Sequence, residues 1–509
     1  MLTTLSAVLL AGCSSLTGSP EVQVSAGRLI GSNIDGISAF RGIPYAAPPT
    51  GELRWRSPRP VAAWEGVRAA QAYAPHCAQA MSEFAGFEQK PMSEDCLTVN
   101  VWTPDLQPKL PLPVMVWIHG GGYSLGSGNK ARTNSPTFAR QGVVLVTLNY
   151  RLSIFGFMSH PAFAQPDEPS GNYGLQDVVA ALQWVQDNVA AFGGDPSRVT
   201  IFGESAGAGI VNTLLVMPSA AGLFQQAISE SSSVGLAPDP YPAKRAGFLP
   251  PSEKMGLEFA KKMGLANDAS PEVVVGALRA ANTDELLAVI TDRDRYTPVI
   301  DGKLFPDQVG ALLAAGKAHP VAYMTGGNSW EASLGRDIGG GFSPEFSARL
   351  LTQEQKNSLY AGMQGETLED AIFGDLVVHS SSNYVATQLS NAGMPVYRYY
   401  LSYLAEARRG VQPGVAHEDD IAFVMQTLET EPDLTTVSDK DREVSQLLSN
   451  YWVQFAKTGV PGPEWPAFSA AKPLTLEIGD NVEVREGLFS NRLEFHTERG
   501  RTMMERARN

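Results

Sequence analysis

Ser205 sits in the run Val199-Thr200-Ile201-Phe202-Gly203-Glu204-Ser205-Ala206-Gly207, where a β-branched strand signal meets a GxSxG turn and passes into the helix-like stretch Ala208 to Met217. A serine at such a strand-turn-helix junction has its Oγ lifted clear of a sheet, the posture of a nucleophile. The flanking glycines suit a turn whose backbone is strained and where larger side chains would collide. A serine hydroxyl attacks poorly at neutral pH. It needs an imidazole to accept its proton and a carboxylate to hold the imidazole's tautomer and stabilise the imidazolium. Acyl transfer through serine is therefore the chemistry these residues first suggest.

The bare pattern occurs twice, because Gly122-Tyr123-Ser124-Leu125-Gly126 also reads GxSxG. Ser124 lies within His119-Gly120-Gly121-Gly122-Tyr123-Ser124-Leu125-Gly126-Ser127-Gly128, too rich in glycine to start a helix, so no elbow is expected there. This segment follows the strand signal Val114-Met115-Val116-Trp117-Ile118 and resembles the HGGG-type loop of α/β-hydrolases. Such a loop offers backbone N–H groups to a developing oxyanion.

In that arrangement the acid follows the serine and the histidine comes last. Of the seven histidines, His76, His119 and His160 precede Ser205. His319 lies before the strand signal Val321 to Gly326, at its wrong end; His379 falls in a helix-like stretch and His496 in a charged tail. His417 is left as the base, in the loop Gly414 to Asp420 that follows the strand signal Val396 to Leu401. Glu331, just after Val321 to Gly326, is favoured by position as the acid. Asp301 is the competitor, but its Asp-Gly context reads as a turn, and Asp419 and Asp420 are so near His417 that they more plausibly fix its loop.

These groups need a scaffold. Strand signals at Val22 to Val24, Gly27 to Ile30 and Ile37 to Arg41 suggest an antiparallel edge, and Leu97 to Trp102, Val114 to His119, Val143 to Asn149 and Val199 to Phe202 read as the rising strands of a sheet. Leu175 to Val189 has helical apolar spacing and suits a crossover between the last two. Gln226 to Ser229, Val321 to Gly326 and Val396 to Leu401 continue the sheet, and helix-rich insertions over 235–298 and 339–391 would shape a pocket. At 509 residues, 43% hydrophobic and 18% charged, with no repeat or linker, the chain reads as one large domain over 20–509. Its net charge of −14 argues against a nucleic-acid partner. The chain shows neither HExxH nor paired CxxC, so no metal or cofactor is expected, and Glu418-Asp419-Asp420 reads as solvated charge.

Residues 1–19 read separately. Leu5 to Ala11 is too short to span a bilayer, and Leu9-Leu10-Ala11-Gly12-Cys13 resembles a bacterial lipobox, although Met1 to Thr4 lacks the usual basic residues. Cys13 would then carry a lipid that tethers the protein to a cell-envelope membrane. The remaining cysteines, Cys77 and Cys96, suit a disulfide in an exported protein, closing a loop and contributing about 3 kcal/mol by the chain-entropy argument; two buried free thiols are the alternative.

The chain as a whole resembles the type-B carboxylesterases, which include bacterial para-nitrobenzyl esterases and, more distantly, the cholinesterases. The resemblance rests on Phe40-Arg41-Gly42-Ile43-Pro44-Tyr45-Ala46, Gly51-Glu52-Leu53-Arg54-Trp55, Glu94-Asp95-Cys96-Leu97-Thr98-Val99-Asn100-Val101-Trp102-Thr103-Pro104, Asn149-Tyr150-Arg151, and Phe192-Gly193-Gly194-Asp195-Pro196 leading to the Ser205 turn. It implies an α/β-hydrolase fold: a large, mostly parallel central β-sheet flanked by helices, with helical insertions over the active site. It also implies a Ser205, Glu331, His417 triad, oxyanion donors at Gly121, Gly122 and Ala206, a Cys77 to Cys96 disulfide, and scaffold ion pairs Arg54 with Glu94 and Arg151 with Asp177. The implied partner is a small-molecule carboxylic ester, with amides, carbamates and polyester or toxin esters as alternatives on the same triad. A non-catalytic, neuroligin-like adhesion module is the reading from another class. Two departures stand out. The stretch between Cys77 and Cys96 carries Phe84 and Phe87 but no tryptophan, which disfavours a choline-ester specialist, and Ser231-Ser232-Ser233 replaces the family's serine-glycine-serine step.

Overall fold

The computed structural model describes residues 18–80, 91–165, 168, 170–246, 249–291, 294–339 and 342–508. Cys13 with its lipobox, and Phe84 and Phe87, lie outside the described residues. An eleven-stranded sheet runs through the protein. From one edge its order is Val482–Glu486, Leu474–Ile478, Val396–Leu401, Ala322–Asn328, Gln226–Glu230, Gly194–Glu204, Leu112–Ile118, Val144–Leu148, Thr98–Thr103, Ile37–Pro44 and Ser32–Ile34. Every pairing from Val144–Leu148 across to Leu474–Ile478 is parallel, and the pairings outside that block are antiparallel.

Two expectations need correction here. The strand Thr98–Thr103 does not rise with the others but runs antiparallel to Val144–Leu148. All six of its residues are buried, so it lacks the in-out alternation that marks many antiparallel strands and reads like a parallel one. Glu21–Val24 and Gly27–Ile30 do not edge the main sheet either; they form a small separate sheet with Val67–Ala69, while Ile37–Pro44 joins the main one.

The two faces of the sheet are sorted by residue parity, because successive strand side chains point to opposite sides. Val114, Val116, Ile118, Val199 and Ile201 pack on one face, where the crossover helix Tyr173–Asn188 buries Leu175, Val178, Leu182 and Val185. Met115, Trp117, Phe202 and Ile228 pack on the other, against Val444, Leu448, Trp452 and Phe455 of the helix Asp439–Thr458. A sheet so covered on both sides holds its strand ends rigidly, which suits a site built at those ends.

The two scaffold ion pairs form. Arg54 grips Glu94 with Nη2 to Oε1 at 2.6 Å, and its Nη1 donates to the carbonyls of Leu278 and Ala281. Arg151 pins the chain after Val144–Leu148 to the crossover helix through a two-pronged contact with Asp177, both prongs 2.7 Å. Cys77 and Cys96 are joined as a disulfide. Among the described residues no helix is long and apolar enough to cross a membrane.

Candidate active site

The strand Gly194–Glu204 ends one residue before Ser205, and the helix Ala206–Leu214 begins one residue after it. Ser205 itself has φ 54° and ψ −118°, a conformation that costs a non-glycine residue roughly 1–3 kcal/mol and persists only where its surroundings enforce it. The glycines show what enforces it. A Cβ on Gly203 would come within 2.5 Å of the Ile118 carbonyl oxygen, and one on Gly207 would strike the same oxygen harder. A Cβ on Gly120 would meet the Glu204 backbone oxygen at 2.8 Å and the Ser205 Cβ at 3.2 Å. The turn and the HGGG loop are thus pressed together at van der Waals limits, with no room for side chains between them.

Within that loop Gly121, Gly122 and Tyr123 take successive positive φ values of 103°, 60° and 61°. The curl leaves the N–H groups of Gly121 and Gly122 without an acceptor among the described residues. The N–H of Ala206 is likewise unbonded by construction, as the first of its helix. Ser124 lies in this loop, its N–H bonded back to Gly121, and starts no helix. The loop is braced from behind. Gln79 exchanges two 3.0 Å bonds with the backbone of Gly126, and the His119 ring stacks on Tyr150 at 4.4 Å. Burial pushes His119 down to about 3, so it stays neutral and structural.

His417 and Glu331 meet as expected, with Nδ1 to Oε2 at 2.6 Å. The loop carrying His417 is strapped to the segment after Ala322–Asn328. The N–H of His417 donates to Ser333 Oγ, that of Val415 to Ser329 Oγ, and Asn328 Nδ2 donates to the Ala416 carbonyl. Glu331 is 1% exposed, and its other oxygen accepts from the Asn328 N–H and from Ser231 Oγ, each at 2.7 Å. Burial raises the Glu331 carboxyl, but the His417 ring, with His379 and the Asn328 N–H, outweighs it and holds it below its usual range. Ser231, the first residue of Ser231-Ser232-Ser233, is therefore a hydrogen-bond partner of Glu331. Ser232 turns its hydroxyl toward Asn212 and the Val234 N–H.

The far nitrogen of His417, Nε2, has no hydrogen-bond acceptor among the described residues and lies 3.1 Å from Glu204 Oε1, on the residue just before Ser205. Burial acts to lower the imidazole, yet the carboxylates of Glu204 and Glu331 push it up to about 10. Glu204 is itself fully buried, neither oxygen is hydrogen-bonded among the described residues, and burial raises it well above the usual carboxylate range. The two effects constrain one another. Once Glu204 holds a proton, Glu331 is the remaining charge in contact with the ring, and the imidazole releases its own proton more readily.

One reading from the sequence changes here, and burial qualifies two others. Asp419 and Asp420 are not solvated charge; they are 9% and 0% exposed. Asp419 pairs with Arg408 at 2.9 Å and accepts from the Ala416 N–H, while Asp420 accepts from Asn328 Nδ2 and is pushed up to about 6 by burial. His496 does lie in a charged C-terminal segment, but that segment is the helix Ser490–Arg508 packed back on the fold, so the ring is 1% exposed with its Nε2 2.8 Å from the Tyr360 hydroxyl. His379 is helical as expected, yet it lies beside Glu331: a Cβ on Gly327 would sit 2.7 Å from Glu331 Oε1 and 3.2 Å from the His379 Cε1. Asp301 is the turn residue it resembled, one oxygen accepting the N–H groups of Lys303, Leu304 and Phe305. Among the described residues no cluster of three metal-ligating side chains occurs.

The profile of a family described as "Carboxylesterase family" matches residues 18–360 and 343–496. The chain belongs to that family. A fumonisin B1 esterase of Sphingopyxis macrogoltabida is 33% identical over 485 residues, covering 89% of this chain and 85% of that protein. The para-nitrobenzyl esterase of Bacillus subtilis (strain 168) is 32% identical over 496 residues, covering 92% and 99%. Two solved structures of PNB esterase superpose with TM-scores of 0.81 and 0.77 at 29% and 30% identity, each covering 94% of this chain. This carboxylesterase therefore has the α/β-hydrolase fold and is a serine hydrolase of carboxylic esters.

Proposed function

We propose that Ser205 is the nucleophile, His417 the general base and acid, and Glu331 the carboxylate that orients it. The N–H groups of Gly121, Gly122 and Ala206 form the oxyanion hole. The observation that carries this reading is the convergence of the Glu331–His417 bond on the end of the strand whose next residue is the strained Ser205. As Ser205 Oγ bonds to the ester carbonyl carbon, its proton passes to His417 Nε2. The carbonyl π electrons move onto oxygen, where the three N–H groups meet the charge. Collapse breaks the bond to the alcohol oxygen, which leaves with the proton from Nε2. Water then adds to the acyl carbon as it passes a proton to Nε2, the bond between that carbon and Oγ breaks, Oγ takes the proton from Nε2, and the acid is freed.

Small-molecule carboxylic esters are the favoured substrates; amides, carbamates and polyester or toxin esters would use the same steps. The absence of a tryptophan between Cys77 and Cys96 weighs against choline esters. A purely adhesive role is disfavoured by the presence of all three reacting residues. We also propose export with a lipid tether at Cys13, which mass spectrometry of the mature N-terminus tests directly. For the catalytic assignment, Ser205→Ala should lower kcat for p-nitrophenyl acetate by about 10⁴-fold or more, with an unchanged melting temperature. A variant retaining activity would assign the chemistry elsewhere.

A further inference from the structure

The segment 129–136, which follows the glycine loop, is anchored on the sheet: Asn134 accepts from Trp102 Nε1 and Thr147 Oγ1, and Asn100 Nδ2 donates to Asn129 Oδ1. From this fixed base Arg132 reaches across to the His417 side of the site. Its Nη2 donates to the Glu418 carbonyl at 2.7 Å, its Nη1 lies 3.5 Å from Glu418 Oε2, and its Nε lies 2.8 Å from Glu431 Oε1. Its own carbonyl accepts from Thr427 Oγ1. Glu418 directly follows His417 and has φ 71°, in the left-handed region that a glutamate keeps only when its surroundings hold it there.

These contacts form a chain that begins and ends beside His417. Glu418 meets Arg132, Arg132 meets Glu431, Glu431 meets Arg408 at 3.7 Å, and Arg408 meets Asp419 at 2.9 Å. An isolated exposed ion pair contributes little, but the Arg132 side chain is only 20% exposed and that of Arg408 only 6%, and each guanidinium serves several acceptors at once. Arg408 also pairs with Asp433, so Glu431, Asp419 and Asp433 keep a cation whether or not Arg132 is present. Glu418 pairs with no cation but Arg132 among the described residues.

The charges that act on the His417 ring are one-sided: Glu204, Glu331, Glu418, Asp420 and Asp337 are all acids. Arg132 is set against this group, paired with Glu418 and with a field that reaches Asp420. Among the described residues it bonds to none of Ser205, Glu331 and His417, so its influence passes through Glu418.

We propose that Arg132 is a positioning residue for the reaction: its guanidinium clamps the strained Glu418 turn, and with it His417, to the anchored segment behind the glycine loop, and neutralises the Glu418 carboxylate. This rests on the reading of His417 as the base and names what fixes that base's place and its surrounding charge. Without Arg132 the Glu418 carboxylate faces the imidazolium unopposed, the ring keeps its proton to higher pH, and the acid limb of kcat/KM moves up. A loss of packing alone would lower activity at every pH and leave the limb in place.

Profiles of kcat and KM against pH for p-nitrophenyl acetate test this in the wild type, Arg132→Gln, Arg132→Lys, and Arg132→Gln combined with Glu418→Gln. In Arg132→Gln the limb should rise by about 0.5 pH unit, and kcat on the plateau should fall about tenfold with KM within about twofold. The double variant should bring the limb back towards the wild type while kcat stays low, because the clamp is still missing. Arg132→Lys keeps the charge without the planar fork, so the limb should stay and kcat should fall about threefold; this variant carries the test should Arg132→Gln not fold. An unmoved limb in folded Arg132→Gln, a limb still raised in the double variant, or wild-type kcat in Arg132→Lys would each overturn the proposal. Ser205→Ala and His417→Ala are measured alongside: activity in either overturns the triad assignment, and with both inactive the same three results bear on Arg132 alone.

Discussion

The Ser205 half and the His417 half of this site are held by different forces. Around Ser205 the restraint is steric and lies in the backbone: Gly120, Gly203 and Gly207 bring chain segments so close that a single methyl group has nowhere to go. Around His417 the restraint is polar and lies in side chains, through Ser333, Ser329, Asn328, Asp419 and the Ser231 to Glu331 bond. Close packing yields abruptly, because an extra methyl cannot be partly accommodated. A hydrogen-bonded strap yields by degrees, because each lost bond is worth only about 1 kcal/mol. On the proposed assignment, the first half would fix where the attacking oxygen is and the second would tune how basic its partner becomes.

The contrast can be broken at its strongest point. His417→Ala removes the proton acceptor while leaving the glycine packing intact, and kcat should fall by about 10⁴-fold or more. Gly207→Ala acts the opposite way. Its methyl drives into the Ile118 carbonyl, so stability should fall by about 1–3 kcal/mol, read as a lower urea midpoint, and activity should fall with it because the elbow itself shifts. If Gly207→Ala proved as stable as the wild type, the steric half of the comparison would be wrong.

The smallest effect is also the sharpest. Glu204→Gln removes one of the two carboxylates that raise His417, so the imidazole's affinity for a proton should drop. Because the reaction needs the imidazole neutral, the acid limb of the kcat/KM profile should move to lower pH. Should the limb stay where it is, Glu204 already carries a proton in the working enzyme, as its burial favours, and Glu331 alone sets the basicity of the ring.

What the sequence made legible follows the same division. Ser205, its glycines and the HGGG loop were readable because backbone strain is a local property, written in neighbouring residues. His417 was readable one step removed, from its place after a strand, and Glu331 from the preceding strand. The polar straps were not. Nothing near Asp420 in the chain announces Asn328, nothing near His496 announces Tyr360, and nothing near Gln79 announces Gly126. Those pairs join residues brought together only by tertiary packing, and so does the unexpected burial of His379 beside the acid. The direction of Thr98–Thr103 was hidden for a related reason: a strand covered on both faces loses the alternation that reports its neighbours.

The central claim is that the oxygen on Ser205 attacks with His417 as its base. Treating the protein with a fluorophosphonate ester and mapping the adduct by peptide mass spectrometry tests it most directly, in the wild type and in His417→Ala. The account expects one stoichiometric adduct on Ser205 in the wild type, and labelling slowed by orders of magnitude without His417. An adduct on another residue, or equally fast labelling of Ser205 in His417→Ala, would contradict it.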